Sequence, residues 1–233
     1  QNLALGIYGE AVDAAIKKLD ADHFNARIWA HEGSLWKDQT TIISKIENRL
    51  GWLDTHKTID LERLKALQAS VKNSSITHVV LMGMGGSSLA PEVLYQTFGK
   101  QDGFPSFHML DSTDPTRIRM IQEAVDLKNT LFLVSSKSGG TIETSSFYQY
   151  FDDLTGHNGA QFIAITDPET NLEKLAKDKK FRDIFANPAD IGGRYSAFSY
   201  CGMVPPALMG LDLEKLWDAA GNMMKACDSN IPS

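Results

Sequence analysis

Apolar positions in the first 75 residues recur at helical spacing. Val12, Ala15, Ile16 and Leu19 make one stripe, and Leu61, Leu64, Leu67 and Val71 make another. Residues 1–75 therefore read as a helical N-terminal segment packed on a core, with Trp29, Trp36 and Trp52 as packing aromatics and no strand signal. From residue 76 the pattern changes. Short apolar runs stand at 79–82, 107–110, 131–134 and 162–165, at the separation that a strand, a crossover helix and the next parallel strand require. Between them lie helical faces: Ile118, Ile121 and Val125 behind Asp114-Pro115, then Phe147, Phe151 and Leu154, then Leu172, Leu175 and Ala176. Asp167-Pro168 reads as the cap and proline that start the last of these. After Gly193 the chain returns to helix, with Leu213, Leu216, Trp217, Ala220 and Met224 on one stripe behind Asp212. The economical fold is α/β, a parallel sheet covered by helices on both faces.

Composition narrows the function classes. The formal net charge is −6, and the whole excess lies after residue 75. No basic stripe exists for a phosphate backbone, so nucleic acid is not an expected partner, while a small anionic ligand held by local donors is compatible. No apolar run approaches the roughly 18 residues of a membrane span. Residues 1–19 lack the basic and apolar regions of a secretory leader, and a start at Gln1 implies a processed or partial chain. Cys201 and Cys227 cannot build a disulfide framework or a zinc site, and they fit a reducing compartment. The six histidines are scattered and read as structural or surface residues. Neither a metal nor a cofactor is expected.

In an open parallel sheet, ligands bind beyond the carboxyl ends of the strands where strand order reverses. Three such ends carry unusual residues. The first is Gly83-Met84-Gly85-Gly86-Ser87-Ser88, whose glycines permit close backbone approach to a ligand at a helix N-terminus. Ser88 stands where a dinucleotide fingerprint has its third glycine, although Asp111 lies roughly where a ribose-binding acid would. Ligand contact and a merely tight turn are both open for this loop. The second is Ser135-Ser136-Lys137-Ser138-Gly139-Gly140-Thr141, which offers hydroxyls, amides and a cation. Its Lys precedes the glycines, which suits one phosphate monoester better than a triphosphate. A Ser/Gly-rich cap without ligand is the alternative, and Lys137 could act through its backbone N–H with a solvated side chain. Glu143 fits a first-turn residue that stabilises the helix dipole better than a catalytic acid or base. The third is Asp190-Ile191-Gly192-Gly193-Arg194-Tyr195-Ser196, presenting a guanidinium to an anionic oxygen, or holding its own loop through an Arg194–Asp190 ion pair.

In order and spacing these segments resemble the glucose-6-phosphate isomerase family. The resemblance rests on Gly83-Met-Gly-Gly-Ser-Ser88, on Ser136-Lys-Ser-Gly-Gly-Thr-Ile-Glu-Thr144, and on Asp190-Ile-Gly-Gly-Arg-Tyr-Ser196 continuing through Phe198, Ser199 and Gly202. The wording around them is most similar to the isomerase half of bifunctional transaldolase/glucose-6-phosphate isomerase chains. The resemblance implies a three-layer, flavodoxin-like sugar isomerase domain over residues 76–200, with a fifth strand near 184–186. Residues 201–233 would be helices leading to a second domain. It further implies that Ser136, Ser138 and Thr141, with the amides of Lys137, Gly139 and Gly140, hold the 6-phosphate of glucose 6-phosphate or fructose 6-phosphate. Gly86 and Ser87 would line the sugar, and Arg194 would act as the catalytic residue facing C1–C2. Gly140 departs from the family, where a Thr is common. The family's proton-moving Glu and ring-opening His lie in the second domain, which this chain does not reach, so isomerisation by the chain alone is not expected. A cytoplasmic homodimer is implied for the full-length protein. A non-catalytic sugar-phosphate sensor and a nucleotide-binding oxidoreductase are the rival readings.

Overall fold

The computed structural model describes residues 4–228. Strands β1 (His78–Gly83), β2 (Ser106–Leu110), β3 (Thr130–Ser135), β4 (Phe162–Thr166) and β5 (Asp183–Ala186) form one parallel sheet in the order β2-β1-β3-β4-β5. Helices α1 (Gly9–Ala21), α2 (Phe24–Trp29), α3 (Thr40–Glu47), α4 (Thr55–Thr58) and α5 (Leu61–Lys72) precede the sheet. Between strands run α6 (Leu89–Phe98), α7 (Pro115–Ala124), α8 (Ile142–Leu154) and α9 (Asn171–Asp178), and α10 (Tyr200–Met209) and α11 (Leu213–Ala226) follow.

The two-residue period of a strand sorts the core into two layers. Val79, Leu81, Leu131, Leu133, Ile163 and Ile165 face α5 and α10, while Val80, Met82, Phe132, Val134, Phe162 and Ala164 face α7, α8 and α9. The result is the α/β three-layer sandwich with five parallel strands that the resemblance implied. Helix α10 is buried along its whole length, and its sequence is accordingly apolar on every side. It ends at Gly210, whose φ of 85° and lack of a Cβ admit the Phe104 ring. Edge strand β5 has only Phe185 fully buried, which leaves it no alternation to read. The Arg63 guanidinium caps it, lying 4.1 Å from the Phe185 ring centroid and pairing with Asp183 at 2.6 Å.

Two of the three expected caps form as the sequence indicates. The Asp114 carboxylate accepts from Thr116 N–H at 2.7 Å with Pro115 at the first position of α7, and Asp212 accepts from Lys215 N–H at 3.0 Å. The third differs: α9 starts at Asn171, and Thr170, not Asp167, accepts from the Glu173 amide at 3.2 Å. The Glu173 carboxylate accepts in turn from the Glu169 amide at 2.6 Å, so the helix start is signalled by Thr170-x-x-Glu173. Asp167 is free for another task.

Within residues 4–49 only Gly33 is buried, and in α1 Val12 and Leu19 are half-buried while Ala15 and Ile16 are exposed. The segment holds the sheet through α5 and through a staple at residues 50–52. Leu50 forms an antiparallel bridge with Ile191, the Gly51 amide donates to Asp190 O at 3.0 Å, and Trp52 stacks on Tyr195 with centroids 5.5 Å apart. Among the described residues no helix is long and apolar enough to cross a membrane.

Two of the scattered histidines meet. His78 Nδ1 and His108 Nε2 lie 3.1 Å apart on β1 and β2, at the end of the sheet remote from the strand C-termini. Burial holds both below the ordinary imidazole pKa; the neighbouring charges of Lys100 and Arg117 act the same way, and Asp126 opposes them at His78. A native pair that resists protonation loses stability as pH falls through the unfolded-state value near 6.5, where the unfolded chain binds protons that the folded one refuses. Urea midpoints are expected to fall between pH 7 and pH 5.5, and the double substitution His78→Asn, His108→Asn is expected to flatten that fall.

Candidate functional site

The carboxyl ends of β1, β3, β4 and β5 open into one cleft of about 570 Å³, within the range of small-ligand sites. It lies where the strand order reverses between β1 and β3. All three singled-out segments reach it: Gly86 and Ser87 after β1, Lys137, Ser138 and Thr141 after β3, and Gly193 and Ser196 from the third.

The β3–α8 loop is built to leave a helix end open. Ser136 is tied to β4 by its amide, which donates to Ile165 O at 3.0 Å. Its hydroxyl lies 2.8 Å from the Thr141 hydroxyl. Thr141 occupies the N-cap position of α8 yet makes no side-chain cap, because its oxygen is turned to Ser136. The first-turn amides of α8 are thus left to whatever enters the cleft, and the macrodipole makes that entrance favourable to an anion. Gly139 sits at φ 63°, and a Cβ there would come within 2.4 Å of Thr170, so only glycine fits. Gly140 is different: its added Cβ would meet nothing nearer than 4.0 Å, so the backbone does not dictate the missing hydroxyl. Ser136 and Gly139 sit behind the cleft wall with Thr144 and Tyr148, and Glu143 does not line the cleft.

The other two segments interlock. A Cβ at Gly86 would stand 2.2 Å from Gly193 O, and the Ser196 hydroxyl donates to Gly86 O at 3.0 Å. These glycines let two backbones touch, which fixes Ser87 at the cleft floor. Arg194 is exposed, and neighbouring Gly193 rather than Arg194 itself forms the cleft wall. The alternative Arg194–Asp190 ion pair does not form among the described residues, and the Asp190 carboxylate lies over Gly51 instead. Asp111 is exposed and is not among the described residues that line the cleft, so it does not stand there as a ribose-binding acid.

Lys137 is half-exposed, and its side chain is engaged by the protein. Its ammonium is paired with Asp167 and donates to Ala189 O at 2.9 Å, while the Asp167 amide donates back to Lys137 O at 3.0 Å. Burial raises the Asp167 carboxyl above its ordinary range against the opposing effect of Lys137. Asp167 Oδ1 and Asn187 Oδ1 are buried at this wall without a hydrogen-bond partner. Cys201 also touches the cleft, and burial pushes its thiol up to about 11, which keeps it protonated and unreactive. Asn48, Arg49 and Asn187 were not singled out in the sequence, Asp167 was read only as a helix cap and Cys201 only as a free thiol, because nothing local marks them as neighbours of three distant loops.

Residues 46–230 match the Phosphoglucose isomerase family. The chain belongs to the phosphoglucose isomerase family. Within it, the chain is 34% identical over 177 residues to the glucose-6-phosphate isomerase of Nostoc punctiforme, covering 70% of this chain and 34% of that protein. It is 32% identical over 173 residues to a glucose-6-phosphate isomerase of Thermus thermophilus, covering 72% and 41%. The chain thus spans 34% and 41% of the length of these two relatives. Among solved structures, a hypothetical protein of Thermus thermophilus superposes with a TM-score of 0.74 at 28% identity, over 94% of this chain and 51% of that one. The glucose-6-phosphate isomerase of Chlamydia trachomatis shares the fold, with a TM-score of 0.63 at 22% identity over 91% and 40%.

Proposed function

We propose that this chain is the phosphosugar-binding N-terminal portion of a glucose-6-phosphate isomerase, taking glucose 6-phosphate or fructose 6-phosphate in the cleft described above. The observation that carries the reading is the uncapped N-terminus of α8, with Thr141 turned to Ser136 and Ser138 beside it. Neutral donors clustered at a positive helix end suit a phosphoryl group. The sugar then lies toward Gly86 and Ser87.

Aldose–ketose interconversion removes a proton from carbon beside a carbonyl, and the negative charge that grows on oxygen must be stabilised as the proton leaves. Arg194, next to the cleft and without an ion-pair partner among the described residues, is the group proposed for that role once a substrate and the rest of the protein close over it. The described lining of the cleft has one carboxylate, Asp167, engaged by Lys137, and neither Glu nor His. A base of the right reach is therefore expected from a second domain of the parent protein, which the resemblance also implies. A cytoplasmic, homodimeric parent is part of the same proposal, and a transaldolase fusion is its most specific form.

The expected result is binding without turnover. Calorimetric titration of the 233-residue chain should detect fructose 6-phosphate and show far weaker heat with fructose or NAD. A coupled assay should find no conversion to glucose 6-phosphate above the uncatalysed rate. Robust turnover would mean that a base resides in this chain and would return attention to Glu143. A response to NAD but not to the sugar phosphate would favour the oxidoreductase reading.

A further inference from the structure

We infer that Arg49, from the segment before the sheet, is the cation that neutralises the ligand's phosphoryl group in this cleft. The inference rests on the phosphosugar reading and adds a residue to it. A phosphomonoester near neutral pH carries between one and two negative charges, and taking it out of water requires positive charge as well as hydrogen bonds. Ser87, Ser138, Thr141 and the α8 amides supply neutral donors only. Lys137 supplies no net charge, since Asp167 holds its ammonium and Ala189 O takes a further bond. Among the described residues lining the cleft, the remaining cation is Arg49.

Its guanidinium is engaged by no carboxylate or carbonyl of the described chain, whereas its backbone is fixed. The Arg49 amide donates to Ile46 O at 2.9 Å, Leu50 bridges Ile191, and the Gly51 amide donates to Asp190 O. Gly192 lies against the Arg49 Cβ, where a Cβ of its own would come within 3.7 Å. A held backbone carrying an unengaged planar fork is an arrangement suited to bidentate capture of phosphoryl oxygens. It also gives the N-terminal segment a task beyond packing: the staple at residues 50–52 sets Arg49 at the cleft mouth.

The test compares Arg49→Ala and Arg49→Lys with the unsubstituted chain in calorimetric titrations with fructose 6-phosphate, inorganic phosphate and fructose. Arg49→Ala is expected to weaken fructose 6-phosphate and phosphate about ten- to a hundredfold, to leave any binding of fructose unchanged, and to reduce the salt dependence of binding. Arg49→Lys is expected to recover part of the loss, because charge returns without the fork. The exposed side chain should leave the melting temperature unaltered; were Arg49→Ala to melt early, Arg49→Gln carries the same comparison. Unchanged affinity for both phosphates in the Ala and Gln variants overturns the inference while leaving the phosphosugar reading in place. Failure of the unsubstituted chain to bind either phosphate overturns both.

Discussion

Phe162→Ala is expected to lower the stability of the chain by about 3–5 kcal/mol. Phe162 is fully buried on β4 and touches three other rings: Phe132 at 5.2 Å, Tyr148 at 5.3 Å and Phe181 at 5.3 Å between centroids. Removing it deletes the aromatic surface shared by β3, α8 and the turn after α9, and leaves a cavity that rigid neighbours cannot refill. A single domain holds about 5–15 kcal/mol in total, so the loss is a large fraction of what keeps the chain folded. Urea unfolding followed by circular dichroism should show the midpoint falling by a corresponding fraction with an unchanged slope. A midpoint within error of the parent would mean that the layer beneath α8 and α9 is not packed around this ring.

Gly86→Ala should be the most damaging single methyl in the cleft, and Gly193→Ala its near-silent control. At Gly86 the added Cβ would sit 2.2 Å from the Gly193 carbonyl oxygen, a backbone atom with no side-chain freedom to yield, whereas at Gly193 it would meet nothing within 4 Å. Overpacking of this kind costs about 1–3 kcal/mol. Here it also separates the loop that carries Ser87 from the loop that carries Ser196, since the Ser196 hydroxyl donates to Gly86 O. The expected outcome is a lowered melting temperature together with loss of detectable fructose 6-phosphate binding in Gly86→Ala. Gly193→Ala should remain within about 0.5 kcal/mol of the parent. Equal behaviour of the two variants would refute the close approach of these loops.

The layered fold was legible because each strand run and each helical face repeats its own period. Residues 79–82, 131–134 and 162–165 are buried on both faces, and such strands read as continuous apolar runs. β5 was not legible from periodicity, because an edge strand of four residues with one fully buried side chain leaves no pattern. The start of α9 is misread from sequence for a related reason: Asp167-Pro168 imitates a cap, while the true signal, Thr170 with Glu173, lies three residues further on.

By itself the sequence determined the first four strands and the helices between them, the three loops at the strand ends and the chemistry of their hydroxyls, glycines and guanidinium. These are local properties, set by side-chain period and by which residues tolerate tight backbone. Only the tertiary structure decided which of those groups meet. It turned Thr141 to Ser136 so that α8 stays open, spent Lys137 on Asp167, left Arg194 beside the cleft rather than in its wall, and brought Arg49 from before the sheet to its mouth. Such pairings depend on distances between segments far apart in the chain, and no local pattern of residues encodes them.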